Sequence, residues 1–385
     1  MKRKLRMGMI GGGPDSFIGA VHRIAANMNG MIELVCGAFS SSPERSAITG
    51  KQLHLNAHRV YGSYAEMIEK ESVLTADIRM DFVSIVTPNH VHFEPVKLAM
   101  EKGFHVVLDK PMTFSLAEAL QLQQVAQQTK KVFCLTHTYT GYPMVKQAKQ
   151  MVASGVLGNI RKVYVEYPQG WLSTFLEESN QKQASWRTDP KRSGIAGSMG
   201  DIGTHAFNLA EYVSGLQTTE LCSVLHTVVE GRLLDDDGAA FLKFNNGATG
   251  VLMASQIAAG EENNIKVRVY GEKGSIEWQQ ADCNTLLVKW LDAPAQVYRT
   301  GTGYLSSYAI KNARTPAGHP EGYLEAFANH YKNFALTVDA LTHKQEPEKE
   351  WLDFPGIEDG VRGMAFVENV VAASQQNTKW KKFDI

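Results

Sequence analysis

Short apolar runs alternate with segments of helical periodicity along the first 137 residues. The strand-like runs fall near 5–10, 32–39, 82–86, 104–108 and 132–136, and the helical segments near 43–54, 63–72, 94–102 and 115–128. Strands alternating with helices at these lengths predict right-handed crossovers and a parallel sheet. The runs are almost continuously apolar, which is typical of strands that are covered on both faces. We therefore predict a doubly wound α/β (Rossmann) domain over residues 1–137.

The pattern changes in the second half of the chain, where apolar and polar positions alternate. Such runs fall near 160–168, 220–230, 239–244, 248–257, 264–270 and 284–290. Asn245-Asn246-Gly247 and the 271–274 segment supply hairpin turns. We predict an α+β domain over 138–385 with a large, mostly antiparallel open sheet of about six strands, and a last helix near 357–374 that is free to pack back on the first domain. An uncovered apolar sheet face would favour a homodimer or homotetramer through this sheet.

Composition excludes several classes of partner. The chain of 385 residues has 39 basic and 40 acidic side chains, a formal net charge of −1. This balance gives no electrostatic reason to expect nucleic acid or an anionic membrane as a partner. The sequence has no run close to the ~20 apolar residues that a membrane span needs. Its four cysteines are widely separated, so we expect a reducing, cytoplasmic environment.

A glycine turn follows the first strand. Gly11-Gly12-Gly13 is followed by Pro14-Asp15-Ser16 and by a helix that starts at Phe17. Strand, glycine turn and helix in this order are the context that a dinucleotide motif requires. Gly11, Gly13, Ser16 and Phe17 are therefore candidates for contact with a pyrophosphate. The next glycine comes only at Gly19, which we interpret as a three-residue insertion in the phosphate loop.

The end of the second strand is where the adenine ribose would be recognised. NAD enzymes commonly carry an acidic residue there, but this chain has Ser40-Ser41-Ser42-Pro43-Glu44-Arg45, with no acid at the strand tip. The hydroxyl of Ser40 and the guanidinium of Arg45 suit a 2′-phosphate, which favours NADP over NAD. The alternative is a serine-proline helix cap with Arg45 in solvent.

The apolar run at 104–108 ends in Asp109-Lys110-Pro111. In a parallel sheet, the carboxyl ends of the strands open onto the ligand crevice. Lys110 is therefore either a catalytic group or a polar strand ending at the surface.

Asp201 and His205 lie four residues apart at the start of a predicted helix, so their side chains would share one face. Three interpretations are open: a pair of metal ligands, an N-cap aspartate beside an incidental histidine, or a carboxylate that orients a histidine base. No further ligands at metal-binding spacing are evident, so we expect no metal. The glycine-rich approach over 194–203 favours the third interpretation, because close packing beside a ligand needs residues without side chains.

Taken together, four motifs resemble the glucose–fructose oxidoreductase / inositol dehydrogenase / rhizopine catabolism (Gfo/Idh/MocA) family. They are Gly11-x-Gly13, Thr87-Pro88-Asn89-x-x-His92, Asp109-Lys110-Pro111 and Asp201-x-x-x-His205. The resemblance implies an NAD(P)-dependent dehydrogenase in which Lys110, Asp201 and His205 are catalytic. It further implies cofactor contacts from Thr87, Asn89, His92, Asp109 and Lys110, and from Trp186 and Arg187 on the substrate approach. Asp109 departs from the family's glutamate by one methylene.

The resemblance implies hydride transfer between nicotinamide and a secondary alcohol of a sugar, polyol or cyclitol. His205 would accept the hydroxyl proton while Lys110 stabilises the alkoxide, although Lys110 could itself be the base. His137, Tyr139 and His319 are further candidates for contact with the substrate. Two alternative functions stay open: a cofactor-retaining redox glycosidase or epimerase, and a non-catalytic NAD(P)-binding sensor.

Overall fold

The computed structural model describes residues 3–14, 16–179 and 181–385, which form two compact units. The first unit comprises the chain up to Gly141 together with Tyr323–Val361, and the second comprises Tyr142–Gly322 and Arg362–Ile385. The first division thus lies just beyond the expected boundary at residue 137. The segment from Tyr323 to Val361, which we expected in the second domain, groups with the first unit.

The first unit contains a parallel sheet of five strands in the order β2-β1-β3-β4-β5. The strands are β1 (Leu5–Gly11), β2 (Ile32–Ala38), β3 (Phe82–Val86), β4 (His105–Leu108) and β5 (Phe133–Leu135). All neighbouring strands pair in parallel. Every residue of β3 is buried, as expected for a strand covered on both faces. The predicted doubly wound α/β fold is confirmed.

Serine caps explain where four of the helices of the first unit begin. The helices are α1 (Phe17–Asn27), α2 (Pro43–Gln52), α3 (Tyr64–Ser72), α4 (Phe93–Glu101) and α5 (Leu116–Thr129). Ser16, Ser42, Ser63 and Ser115 precede α1, α2, α3 and α5, and each side chain accepts a hydrogen bond from the backbone N–H three residues later. Such a cap satisfies a backbone donor that would otherwise lack a partner.

The second unit contains a nine-stranded sheet in the order β13-β12-β11-β10-β6-β9-β8-β7-β14. The strands are β6 (Ile160–Pro168), β7 (Thr218–His226), β8 (Asp237–Phe244), β9 (Thr249–Ser255), β10 (Lys266–Gly271), β11 (Gly274–Gln279), β12 (Thr285–Trp290), β13 (Gln296–Arg299) and β14 (Lys381–Lys382). Only β6 and β9 pair in parallel, so the predicted antiparallel character is confirmed. The sheet has more strands than the expected six because β11, β13 and β14 are too short or too polar to give a clear alternating pattern.

The two faces of this sheet differ. In β8, buried positions alternate with partly or fully exposed ones. Helices α6 (Pro143–Ala153) and α9 (Thr204–Ser214) pack on the buried face. On the other face, Val224, Phe241 and Met253 are each more than half exposed. The short helices α7 (Lys182–Arg187), α8 (Pro190–Ser193) and α10 (Ser307–Ile310) lie in the connections.

Two long helices complete the fold. Helix α11 (Tyr323–Thr342) belongs to the first unit, where Phe327, Tyr331 and Phe334 join the hydrophobic core. Helix α12 (Ile357–Ser374) crosses the division between the units after Val361. Over the described ranges, none of the helices combines the length and the apolar character needed to cross a membrane.

His105, at the start of β4, makes the stability of the first unit depend on pH. Its Nδ1 accepts a hydrogen bond of 2.9 Å from the N–H of Val132, which requires an unprotonated nitrogen. Burial, together with Lys131, lowers the pKa of His105 from 6.5 to about 4. Between these two values, the unfolded chain binds a proton that the folded chain does not, so stability falls as the pH falls.

We expect the melting temperature to drop as the pH is lowered from 7 to 4.5, and to drop less in His105→Gln. The glutamine oxygen can accept the same N–H but does not titrate. Differential scanning fluorimetry of both proteins across this range measures the difference. Identical pH dependence in the two proteins would exclude a contribution from His105.

Candidate active site

The carboxyl ends of β3, β4 and β5 bring several predicted residues to one edge of the parallel sheet. Ile85 pairs with Leu108, and Leu108 with Leu135. The residues that follow these positions therefore lie side by side; they are Thr87, Asp109, Lys110, Thr136 and His137. Gly11, at the end of β1, pairs with Val86. The glycine turn and Lys110 thus share the edge where α/β sheets bind ligands.

The glycine turn brings the backbone of α1 very close to the end of β1. Gly11 and Gly12 have φ angles of +82° and +75°, which favour glycine. A Cβ atom on Gly19 would collide with the Cα of Gly12. Gly19 therefore serves the close helix packing of a dinucleotide loop, despite the longer spacing. Gly12, which the sequence analysis did not single out, is its partner in this contact.

Several features of this edge fit a dinucleotide. Phe17, the first residue of α1, is 70% exposed. Ser16 caps that helix. Asn89 is buried, and the buried hydroxyl of Thr87 has no hydrogen-bond partner within the described ranges. A buried hydroxyl without a partner is costly unless a ligand supplies one.

The tip of β2 is organised as a helix cap. Ser42 accepts a hydrogen bond from the N–H of Arg45, and the hydroxyl of Ser42 donates to Glu44 Oε2 at 2.6 Å. Ser40 Oγ accepts from the N–H of Ser42. The side chain of Arg45 is exposed. The alternative of a serine-proline helix cap is therefore present. It also places the carboxylate of Glu44 in the same turn as Ser42 and Arg45.

His92 links the ends of β3 and β4. Its Nδ1 lies 2.7 Å from the carbonyl oxygen of Pro111, and its Nε2 lies 2.8 Å from that of Thr87. Burial lowers the pKa of His92, although the two carbonyl groups and nearby Asp109 favour the protonated ring. The ring thus fixes the carbonyl group of Pro111, directly after Lys110, relative to that of Thr87.

Asp109 is anionic and is held by neighbours in the first unit. Its Oδ1 accepts a hydrogen bond of 3.1 Å from Thr136 Oγ1 and lies 3.7 Å from His22 Nε2. Burial alone would raise the pKa of Asp109. The interactions with His22, Lys110 and His92 outweigh burial and lower the pKa below its usual value. A carboxylate therefore stands beside the ammonium group of Lys110.

The three further candidates for substrate contact differ in exposure. His137 is buried, and burial, followed by the charge of Lys110, lowers its pKa to about 3. It is therefore a neutral ring near Lys110. Tyr139 is 4% exposed, whereas His319 lies on an exposed loop of the second unit.

In the second unit, Asp201 lies in a π-helical turn, Met199–Gly203, that runs directly into α9. Such turns are frequent at functional sites. Asp201 Oδ2 accepts a hydrogen bond of 2.9 Å from Gln256 Nε2 and pairs with Arg187 Nε at 3.3 Å. The N-cap interpretation of Asp201 is wrong, because the cap of α9 is Gly203 and makes no side-chain bond. The guanidinium of Arg187 also lies over the Trp186 ring at 4.5 Å.

A polar patch surrounds Asp201 and His205. The ring of Tyr167 lies edge-on to that of His205 at 6.4 Å, and its hydroxyl donates to Asn263 Oδ1. Gln169 accepts hydrogen bonds from Trp171 Nε1 and from Gln256 Nε2. We call this set the amide patch; its members are Gln169, Gln256 and Asn263. Nothing in the sequence pattern of β9 had marked Gln256, which directly follows it.

Asp235 shapes the turn ahead of Asp201. It accepts hydrogen bonds from the N–H groups of Gly197 and Met199 and from the hydroxyl of Ser198. Burial raises the pKa of Asp235, and these three bonds offset that effect in part. No group of three or more His, Cys, Asp or Glu residues in the described part of the chain could hold a metal ion.

Comparisons with known proteins identify the family of this chain. A family model for an oxidoreductase family with an NAD-binding Rossmann fold matches residues 5–137, and one for the GFO/IDH/MocA C-terminal domain matches residues 145–277. An oxidoreductase from Sinorhizobium meliloti is 42% identical, with a TM-score of 0.89 over 99% of this chain and 100% of that one.

An inositol dehydrogenase homolog from Azotobacter vinelandii, solved with NAD+, is 34% identical, with a TM-score of 0.93 over 99% of this chain and 98% of that one. Levoglucosan dehydrogenase from Pseudarthrobacter phenanthrenivorans is 26% identical over 92% of this chain and 99% of its own length. Family models thus match both halves of the chain, and the protein belongs to the Gfo/Idh/MocA family of NAD-binding oxidoreductases.

Proposed function

We propose that this enzyme oxidises a secondary alcohol of a sugar, polyol or cyclitol, with Lys110, Asp201 and His205 as the catalytic residues. The observation that carries the proposal is the position of Lys110 beside the anionic Asp109, on the same sheet edge as the glycine turn. A cation at the end of β4 is well placed to stabilise negative charge on an oxygen near a bound nicotinamide.

The substrate class rests on two kinds of support. The Azotobacter vinelandii homolog has also been solved with NADH and myo-inositol, and another relative is named for levoglucosan. In this chain, the amide patch beside Asp201 offers both donors and acceptors. Hydroxyl groups need both, so amide side chains suit a substrate that carries several of them.

Each of the three catalytic residues has a separate task. The nicotinamide, when bound, takes up the hydride. His205 accepts the hydroxyl proton. Asp201, held by Arg187 and Gln256, keeps one orientation and stabilises the imidazolium that forms. Lys110 donates a hydrogen bond to the reacting oxygen and stabilises the developing alkoxide. Should Lys110 be the base instead, Asp201 and His205 would orient the alcohol.

The remaining cofactor contacts follow the motifs. We propose that Gly11, Gly13, Ser16 and Phe17 receive the pyrophosphate. Thr87, Asn89, His92 and Asp109 would then line the nicotinamide side. Trp186 and Arg187 would lie on the substrate approach, where the ion pair between Arg187 and Asp201 links that approach to the catalytic carboxylate.

Replacing Lys110 by alanine is expected to lower kcat by about 100-fold or more, because the alkoxide loses its stabilising cation. The affinity for NAD should change little. NADH formation at about 340 nm with a panel of polyols and sugars measures turnover, and a thermal-shift titration measures binding.

The matched control is Lys102→Ala, since Lys102 is an exposed lysine that pairs with Glu69 on the surface. The kcat and the NAD affinity of this control should equal those of the parent protein. Full turnover in Lys110→Ala would remove Lys110 from the mechanism. Product release without net NADH would point to the redox glycosidase or epimerase, and tight NAD binding without turnover on any substrate would point to the sensor.

We infer that NAD is preferred over NADP. Ser40 and Arg45 support a 2′-phosphate, but Glu44 lies in the same turn. The hydrogen bond from Ser42 lowers the pKa of Glu44, so its charge would repel that phosphate. The Azotobacter vinelandii homolog was solved both with NAD+ and with NADH, which supports the same choice.

Thermal-shift titrations should therefore give a larger stabilisation with NAD than with NADP. Glu44→Gln should improve NADP binding several-fold relative to NAD, whereas Glu69→Gln, a change of an exposed carboxylate in the same unit, should not. A parent protein that binds NADP more tightly than NAD would favour the expectation based on Ser40 and Arg45.

We further propose that the exposed face of the nine-stranded sheet mediates a homodimer or homotetramer. Its centre is apolar, with Val224, Phe241 and Met253 each more than half exposed. Ion pairs flank this centre, between Lys243 and Glu220 and between Lys289 and Glu277. An apolar centre with a polar rim is typical of subunit interfaces.

Light scattering coupled to gel filtration should then give at least twice the chain mass of 42.5 kDa. Phe241→Asp should reduce this mass, because it would bury a charge at the centre of the interface. Val73→Asp, which changes another exposed apolar residue in the first unit, should not. A monomeric parent protein would contradict the proposal.

A further inference from the structure

His22 is a buried polar residue that the reaction described above does not use. It lies on α1, the helix that begins at the glycine turn, and its side chain is fully buried. Nδ1 lies 2.7 Å from the hydroxyl of Tyr331, and the hydroxyl of Ser84 lies 2.8 Å from that of Tyr331. These contacts join α1, β3 and α11 in the middle of the first unit.

The other nitrogen of His22 faces Asp109. Nε2 lies 3.7 Å from Asp109 Oδ1, which is longer than a hydrogen bond, and it has no hydrogen-bond partner within the described ranges. Edge-on packing against Phe327, with ring centroids 4.7 Å apart, holds the ring. A buried N–H that faces a carboxylate is stabilised by it even at this distance, because the local dielectric constant is low.

The neighbours of His22 favour one of its two nitrogens as the site of the proton. Burial raises the pKa of Tyr331 well above its usual value, so its hydroxyl keeps its proton and can donate to Nδ1. An anionic Asp109 then favours the proton on Nε2. In this arrangement, Ser84 donates a hydrogen bond to Tyr331, and Tyr331 donates one to Nδ1 of His22. The N–H of the ring is then at Nε2, where it faces Asp109.

We propose, on the basis of the function proposed above, that His22 is a positioning residue for Lys110, which it orients through Asp109. Asp109 is one methylene shorter than glutamate, and it is held in place by His22 on α1 and by Thr136. Because α1 also begins at the glycine turn, this network connects the phosphate-binding helix to the catalytic lysine.

Several charged and titratable groups face Asp109. They are His22 from α1, His92 from the segment after β3, Lys110 after β4, His137 after β5 and Tyr331 from α11.

The test compares His22→Leu with His22→Gln. Leucine fills a similar volume without a donor, whereas the glutamine amide can reach Asp109. His22→Leu should lower kcat about tenfold, as expected for a misplaced catalytic group, with little change in KM for NAD. The acidic limb of its pH profile should move to higher pH, because Asp109 loses a neighbour that lowers its pKa. His22→Gln should restore most of the activity.

A stability measurement tests the contact without turnover. In a double-mutant cycle with Asp109→Asn, His22→Leu should lower the free energy of unfolding more in the parent than in the Asp109→Asn background. Should His22→Leu not fold, Tyr331→Phe replaces it in both assays, since it removes only the hydroxyl that faces Nδ1. The matched control is His105→Gln. It changes a different histidine, which lies on β4, and should leave kcat unchanged.

The outcomes separate this inference from the proposed function. If Lys110→Ala abolishes turnover while His22→Leu and Tyr331→Phe keep the kcat and the pH profile of the parent, the positioning role is wrong and the proposed function stands. If Lys110→Ala retains full turnover, the proposed function itself is wrong. Additive free energies in the cycle with Asp109→Asn would also contradict the role of His22.

Discussion

The chemistry of the first unit depends on the parallel alignment of β1, β3, β4 and β5. Parallel pairing brings the carboxyl ends of all four strands to one edge, where their backbone groups and the residues that follow them face a ligand. The glycine turn and Asp109-Lys110 are almost 100 residues apart in the chain, yet the register of the sheet brings both to the same edge. Asp109 is anionic beside Lys110 because His22, Lys110 and His92 favour the carboxylate and outweigh the effect of burial.

In the second unit, polar contacts hold the carboxylate of Asp201 in place. The π-helical turn places Asp201 within reach of Arg187 and Gln256. Asp235 holds the preceding turn by accepting three hydrogen bonds. Asp201 and the turn before it are thus held by polar partners, which is how precise orientation is usually achieved in active sites.

Local patterns predicted most of the fold and the motif residues. Continuous apolar runs identify the parallel strands, and the glycine turn and Asp109-Lys110 stand out at strand ends. The partners of those residues could not be predicted, because they come from distant parts of the chain. His22 and Tyr331 are separated by 309 residues, and Asp201 and Gln256 by 55. Strands β13 and β14 were missed because four and two residues carry too little pattern.

The proposed function makes one central claim, namely that Lys110 and His205 act on the same alcohol in the same step. A double-mutant cycle in kcat tests it directly, with Lys110→Ala, His205→Ala and the double variant measured by NADH formation. Residues that act as a unit are strongly non-additive, so the double variant should be scarcely slower than the slower single variant. A double variant whose loss equals the product of the two single losses would contradict the claim.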